Sequence, residues 1–161
     1  MSKTIDNIYT LYNNPFLLTP IIVKFYESYK GKQSKDLLLA YLVLPIVLYE
    51  ESSKVLITKN KNRELRTFIN YEKEKHKKNN KLFGLPDRVD EYKKITNLCI
   101  QYAIDRGNLK IEDDLSILFL KNDFLNDNTI IHFLKASENF AEMLKKEKLM
   151  HIYLKLGIKN L

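Results

Sequence analysis

At 161 residues, 45% of them hydrophobic and 29% charged, the chain has the length of one domain and buries roughly 70% of the surface that its unfolded form exposes. A single cysteine, Cys99, excludes an internal disulfide, and MSKTIDNIYT lacks a signal-peptide pattern, so a reducing, cytoplasmic location is expected. The net charge of +7 is gathered in one place: Lys54 to Lys81 holds ten Lys or Arg against three Glu, and the remaining residues hold seventeen of each sign.

Only four Gly and four Pro punctuate the sequence, which favours helices over a many-stranded sheet. In NNPFLLTPIIVKFYESYKG, Asn14 before Pro15 and Thr19 before Pro20 both have the order of an N-cap followed by proline in the first turn. Ile21, Ile22, Phe25, Tyr26 and Tyr29 recur at helical spacing, predicting a helix that ends near Lys30 with Gly31 beyond it. SKDLLLAYLVLPIVLYEE carries Ser34 and Asp36 as start signals for a buried helix, which Pro45 is expected to bend or divide near Val43. A buried strand is the competing reading of this run. Its 13-residue apolar stretch LLLAYLVLPIVLY is shorter than the ~20 residues a membrane span requires, so it belongs to a core.

SSKVLITKN and NRELRTFINYE predict two shorter helices, the second with Leu65, Phe68 and Ile69 on one face. Residues 73–82 have no apolar anchor before Leu82 and read as a mobile basic loop. LPDRVDEYKKITNLCIQYAIDRGNL is the clearest helix, opened by Pro86 and Asp87 and ended by Gly107, with Val89, Tyr92, Ile95, Leu98 or Cys99, Tyr102 and Ala103 inward. KIEDDLSILFLK fits a short hairpin with Glu112, Asp113 and Asp114 in its turn, which must lie against helices to be stable. A long helix capped from Asp127 or Asn128 follows, with Ile130, Ile131, Phe133, Leu134, Phe140, Met143 and Leu144 mostly inward. The terminal segment MHIYLKLGIKNL predicts a last helix whose apolar arc is wider than a surface helix needs. The expected fold is a mainly α, compact helical domain spanning 1–161 with one short β-hairpin.

The chain carries no GxGxxG, P-loop, HExxH or GxSxG motif and no metal-spaced Cys or His pair. His76, His132 and His151 are scattered over three segments, and the trio Glu112 to Asp114 lacks the glycine and alternating ligands of a calcium loop. A non-enzymatic protein without cofactor or metal is therefore expected. Lys59, Lys61, Arg63, Arg66, Lys73, Lys75, Lys77 and Lys78 are the candidate nucleic-acid contacts, unless they form only a solvated face. Three helices followed by a hairpin also have the element order of a winged helix, so a DNA-binding transcriptional regulator is the alternative reading. Its recognition helix would hold Arg88, Lys93, Lys94 and Arg106 against Asp87, Asp90, Glu91 and Asp105 and is nearly neutral. The apolar residues of the last helix, Leu149, Met150, Ile152, Tyr153, Leu154, Leu156 and Ile158, are the candidate partner contacts, covered partly by the chain's own bundle and partly by another protein.

NNPF at Asn13 to Phe16, LLLAYLVLPIVLY with Leu44 and Pro45, FGLPDRVDEYKKITNLCIQYAIDRGNLKI, and KASENFAEM leading to YLKLGI together resemble the middle component of bacterial three-component ABC-ATPase systems of the Lamassu anti-phage type. The resemblance runs from about Asn13 to the end. It implies a small non-enzymatic subunit that links an SMC-like ABC ATPase to an effector subunit, commonly a nuclease, in a DNA-sensing complex with at most weak duplex contact of its own and no membrane. The positions that carry it are Asn14, Pro15, Leu44, Pro45, Arg88, Gly107, Leu156, Gly157 and Ile158. They read as architectural positions.

Overall fold

The computed structural model describes residues 13–29, 36–58, 64–70, 81–125 and 127–159. Among these, seven α-helices and one antiparallel hairpin follow in the order α1 (Pro15–Ser28), a 3-10 turn (Leu37–Leu39), α2 (Ala40–Val47), α3 (Glu50–Ile57), α4 (Leu65–Asn70), α5 (Leu85–Asp105), β1 (Leu109–Ile111), β2 (Ile117–Phe119), α6 (Ile131–Leu144) and α7 (Leu149–Leu156). The mainly helical class with one hairpin stands as expected.

Helix α1 starts where Asn14 and Pro15 direct it: the Asn14 side chain accepts from the Phe16 N–H at 3.0 Å, and Pro15 fills a first-turn position that needs no donor. The second proline signal, Thr19 and Pro20, does not begin a helix. Both lie buried inside α1, where the Thr19 hydroxyl donates back to the Pro15 carbonyl at 2.6 Å. The chain leaves helical geometry at Tyr29, and Gly31 and Ser34 lie outside the described residues.

Asp36 caps the next segment, accepting from the Leu38 N–H at 2.7 Å. Pro45 does not divide it near Val43. Helix α2 runs through Pro45 to Val47, and the break comes at Leu48 and Tyr49, where Tyr49 adopts an extended backbone before α3 begins. Pro45 sits in the second turn, so the bond it cannot make is the one to the Tyr41 carbonyl, and α2 carries that single loss through to Val47. The following helix starts at Glu50, earlier than its sequence reading, and ends at Ile57.

Helix α1 lies at the centre, packed against α6 on one side and α5 on another, with α2 beside both. Phe25 and Tyr26 are fully buried, and the Phe25 ring meets that of Phe140 on α6 at 5.8 Å. Buried polar groups stitch the same layers: the Ser137 hydroxyl donates to the Ile21 carbonyl and the Asn139 amide to the Leu56 carbonyl, each at 2.7 Å. Each satisfied bond of this kind stabilises by about 1 kcal/mol and fixes how α6 sits against α1 and α3.

On α5 the choice between Leu98 and Cys99 falls to Cys99, which is buried, and Leu98 is exposed. Tyr92 and Tyr102 are half-buried. Burial pushes the Cys99 thiol up to about 11. On α6, Ile131 is exposed against expectation because its neighbour Ile130 takes the inward place. Asp127 does not cap this helix: it accepts from the Thr129 N–H at 2.8 Å and forms a turn ahead of it.

Helices α5 and α7 end in the same way. The Gly107 N–H donates to the Ile104 carbonyl and the Asn108 N–H to that of Ala103, just as Gly157 donates to Leu154 and Ile158 to Tyr153. This is the Schellman closure, and it needs the left-handed backbone both glycines adopt, with φ of +69° and +74°.

Candidate partner-contact surface

The terminal helix is held through a junction at residues 36–38. The Tyr26 hydroxyl donates to the Asp36 carbonyl at 2.8 Å, and the Leu37 N–H donates to Leu115 at the hairpin tip at 3.0 Å. From α7, the Tyr153 hydroxyl donates to the Leu38 carbonyl at 2.6 Å. Burial, then the nearby Asp36 carboxylate, holds the Tyr153 phenol well above its ordinary pKa, so it remains a donor at neutral pH. Lys155 pairs with Glu147 at 2.6 Å, tying the helix to the turn that precedes it.

These contacts divide the seven candidate partner residues. Ile152, Leu156 and Ile158 are buried in the chain's own core and are not free to meet another protein. Leu149 and Tyr153 are half-buried against that core. Met150 and Leu154 stand outward, 72% and 67% exposed. At 3.6 residues per turn they lie one above the other as a short ridge. The wide apolar arc read from the sequence is thus two faces of one helix, one consumed by folding and one left over.

Two of the positions that carry the family resemblance, Pro45 and Arg88, meet in the fold. The Arg88 guanidinium lies over the Tyr49 ring at 3.8 Å, with Nε donating to the Pro45 carbonyl at 3.2 Å and its terminal nitrogens to the carbonyls of Phe83 and Lys81. Arg88 on α5 therefore binds the break between α2 and α3 from outside. At that break the Ser52 hydroxyl donates to the Ile46 and Tyr49 carbonyls. Pro15 is tied to α5 as well, since its carbonyl faces the Cys99 thiol at 3.8 Å and the adjacent Thr19 hydroxyl faces the Cys99 carbonyl at 3.4 Å.

Of the candidate nucleic-acid residues, Arg66 is exposed on α4. Lys59, Lys61, Arg63, Lys73, Lys75, Lys77 and Lys78 lie outside the described residues. At the two ends of the basic segment, Lys54 pairs with Glu50 and Glu51, while Lys81 is fully buried with its ammonium 5.0 Å from the centre of the Phe68 ring. Of the four cations named for the recognition helix, three are engaged within the chain: Arg88 as above, Lys93 with Asp90 at 2.9 Å, and Arg106, just beyond α5, with Asp123 at 3.3 Å. Glu112 to Asp114 form the hairpin turn, where the Asp114 carboxylate accepts from the Ser116 N–H at 2.9 Å. Among the described residues no group of three or more His, Cys, Asp or Glu is placed to hold a metal, and no helix is long and apolar enough to cross a membrane.

A second feature escaped sequence reading. Behind the hairpin, Asp123 accepts from Lys121 at 2.9 Å, from the buried Asn108 at 2.7 Å and from Arg106. The Lys121 and Asn108 bonds first, with Arg106 added, hold its carboxyl far below the usual range. This clamp fixes the loop after β2, which borders an open groove of about 440 Å³ between α1 and α6 lined by Pro20, Phe124, Leu125, Ile131 and Leu134. The signal was dispersed over Arg106, Asn108, Lys121 and Asp123, with no spacing that marks a motif.

The fold defines a small helical protein whose last helix is anchored on one side and leaves an exposed apolar ridge on the other. Residues 2–160 match the family of ABC-three component (ABC-3C) system Middle Component 3, and the chain belongs to that family. It is thus a middle component of a three-component ABC system, a class that implies partner components. No curated protein and no solved structure gives a significant match.

Proposed function

We propose that this chain is a non-enzymatic bridging subunit, acting in the cytoplasm, that links an SMC-like ABC ATPase to an effector subunit of nuclease type in a DNA-sensing anti-phage complex of the Lamassu kind. Family membership supplies the three-component setting. The observation that carries the docking part is the Met150 and Leu154 ridge, apolar and exposed on a helix whose other face is locked into the core. Two large apolar side chains at i and i+4 on an anchored helix are pre-ordered for a partner, so little conformational entropy is lost when they are covered.

The test is co-purification of the co-expressed components through a tag on this chain carrying M150E/L154E. Loss of at least one of the other two components is expected, with an unchanged circular dichroism spectrum of the isolated chain. Co-purification of both at wild-type yield overturns the reading. A truncation at residue 150 would not serve, because it removes Ile152, Leu156 and Ile158 from the core. The winged-helix regulator gains nothing from α5, whose cations are mostly spent on the chain's own carboxylates and carbonyls. Tight duplex binding by the isolated chain with a steep salt dependence would revive it.

A further inference from the structure

The groove between α1 and α6 sets a hole and a knob side by side on one face. Its floor is apolar, formed by Pro20, Phe124, Ile131 and Leu134. Leu125 stands on its lip 91% exposed, the highest value of any large apolar side chain among the described residues. The residues before the knob are fixed by the fold. Asn122 donates to Glu27 on α1 at 3.0 Å, Asp123 sits in its clamp, and the centre of the Phe124 ring lies 4.8 Å from Arg106 Cζ. Little ordering entropy is therefore left to lose when Leu125 is covered. The rim is charged but neutral in sum, because Lys24 pairs with Glu27 and Lys135 with Glu138, each at 3.0 Å. The whole chain, by contrast, carries +7.

We propose that this face pairs with the same face of a second copy of the chain about a two-fold axis, the Leu125 of each copy entering the groove of the other against Ile131 and Leu134. Two-fold pairing requires a surface to be its own complement, and an apolar knob beside an apolar hole meets that requirement. Every contact then occurs twice, so one leucine yields two insertions. Charge selects the same occupant. Two copies of a chain at +7 repel one another, and they meet at least cost where a face has no net charge and each rim offers both a base and an acid to the other. A small molecule is the poorer match, because the groove is open and its charged groups are already paired with each other, leaving none to orient a ligand. Neither Met150 nor Leu154 lines the groove, so the pairing stands apart from the docking proposed for α7.

The experiment is sedimentation equilibrium of the full-length chain from about 5 to about 300 µM, a range suited to an interface below ~1,200 Å². The wild-type chain is expected to pass from monomer to dimer within it. L125K and I131E are each expected to weaken the dimer about tenfold or more, with unchanged circular dichroism because both side chains are exposed. An equimolar mixture of the two is expected to recover the dimer to within about threefold of wild type, since each mixed pair keeps one native insertion and sets the introduced lysine against the introduced glutamate. M150E/L154E is expected to keep the dimer, whatever it does to capture of the other components. A wild-type chain that stays monomeric overturns the inference, as does wild-type dimerisation by L125K or I131E. Failure of the mixture to recover overturns the two-fold pairing, and loss of the dimer in M150E/L154E moves the interface to α7 and overturns it too. Capture of another component that L125K abolishes, with the wild-type chain monomeric, gives the groove to that component instead.

Discussion

Ile152 and Leu154 are two residues apart on one eight-residue helix, yet the first is fully buried and the second is 67% exposed. Replacing Ile152 by Ala removes three carbon groups from the core, about 2.4 kcal/mol of transfer free energy at ~0.8 kcal/mol for each. A cavity that collapses by half adds about 1 kcal/mol, for a total near 3.4 kcal/mol. Leu154→Ala removes the same number of groups from a site mostly in water already. About a third of the transfer term applies, and the higher helix propensity of Ala offsets part of it, leaving about 0.5 kcal/mol. Urea unfolding followed by circular dichroism reads the difference: with a slope of about 2 kcal/mol per molar, the midpoint falls by about 1.7 M for I152A and about 0.3 M for L154A. Component capture inverts the order, with L154A impaired and I152A competent wherever it is folded. Equal destabilisation by the two variants would refute the division of α7 into an anchored and an open face.

Arg88→Ala removes a stacked cation and a carbonyl bond from the α2 to α3 break and is expected to lower stability by about 2 to 3 kcal/mol in the same urea assay, with Arg88→Lys recovering less than half, because a lysine has no planar group to lay on Tyr49. Gly107→Ala meets no atom closer than 4.0 Å but forces Ala to a φ of +69°, so a loss of about 1 to 2 kcal/mol from backbone strain alone is expected. Asp123 has a folded-state pKa below its unfolded value, so its contribution is complete above about pH 5 and disappears as pH falls below about 4. D123N should therefore flatten that part of the stability profile while leaving neutral-pH binding of the components intact. Cys99, buried and with its thiol pushed up to about 11, is expected to resist a thiol-specific disulfide reagent at pH 8 until the chain is unfolded in urea; prompt labelling of the folded protein would contradict its packing.

Legibility in the sequence followed the range of the interactions. Asn14, Pro15, Asp36, Gly107 and Gly157 act on backbone within four residues of themselves, and each stands at a helix end as its residue type dictates. The Pro45 segment was misplaced because its break is decided from a distance, by Arg88 reaching across 43 residues to the Pro45 carbonyl and stacking on Tyr49. Thr19 and Pro20 carry the same local signal as Asn14 and Pro15, and α1 overrides it because its buried face runs through both. The candidate surface was half legible. Periodicity identified α7 and its wide apolar arc, but only tertiary packing decides that Ile152, Leu156 and Ile158 go inward and Met150 and Leu154 do not.

The same packing explains how so short a helix stays formed and holds the ridge proposed for docking. An isolated eight-residue helix is unstable in water, since nucleation is costly and few bonds repay it. Here Lys155 in the last turn reaches back to Glu147 ahead of the helix, Tyr153 is tied to Leu38, and the end is held by the Gly157 closure and the burial of Ile158. None of these ties engages Met150 or Leu154, so the exposed ridge can change its chemistry without unfolding its support. The hairpin strengthens this arrangement from below, because Leu115 holds the segment at Leu37 that in turn accepts Tyr153 one residue later. A partner that strains α7 would therefore be felt along the chain from Leu38 to the hairpin tip, and the hairpin amides Leu115 and Ser116 are where hydrogen exchange should slow when a component docks.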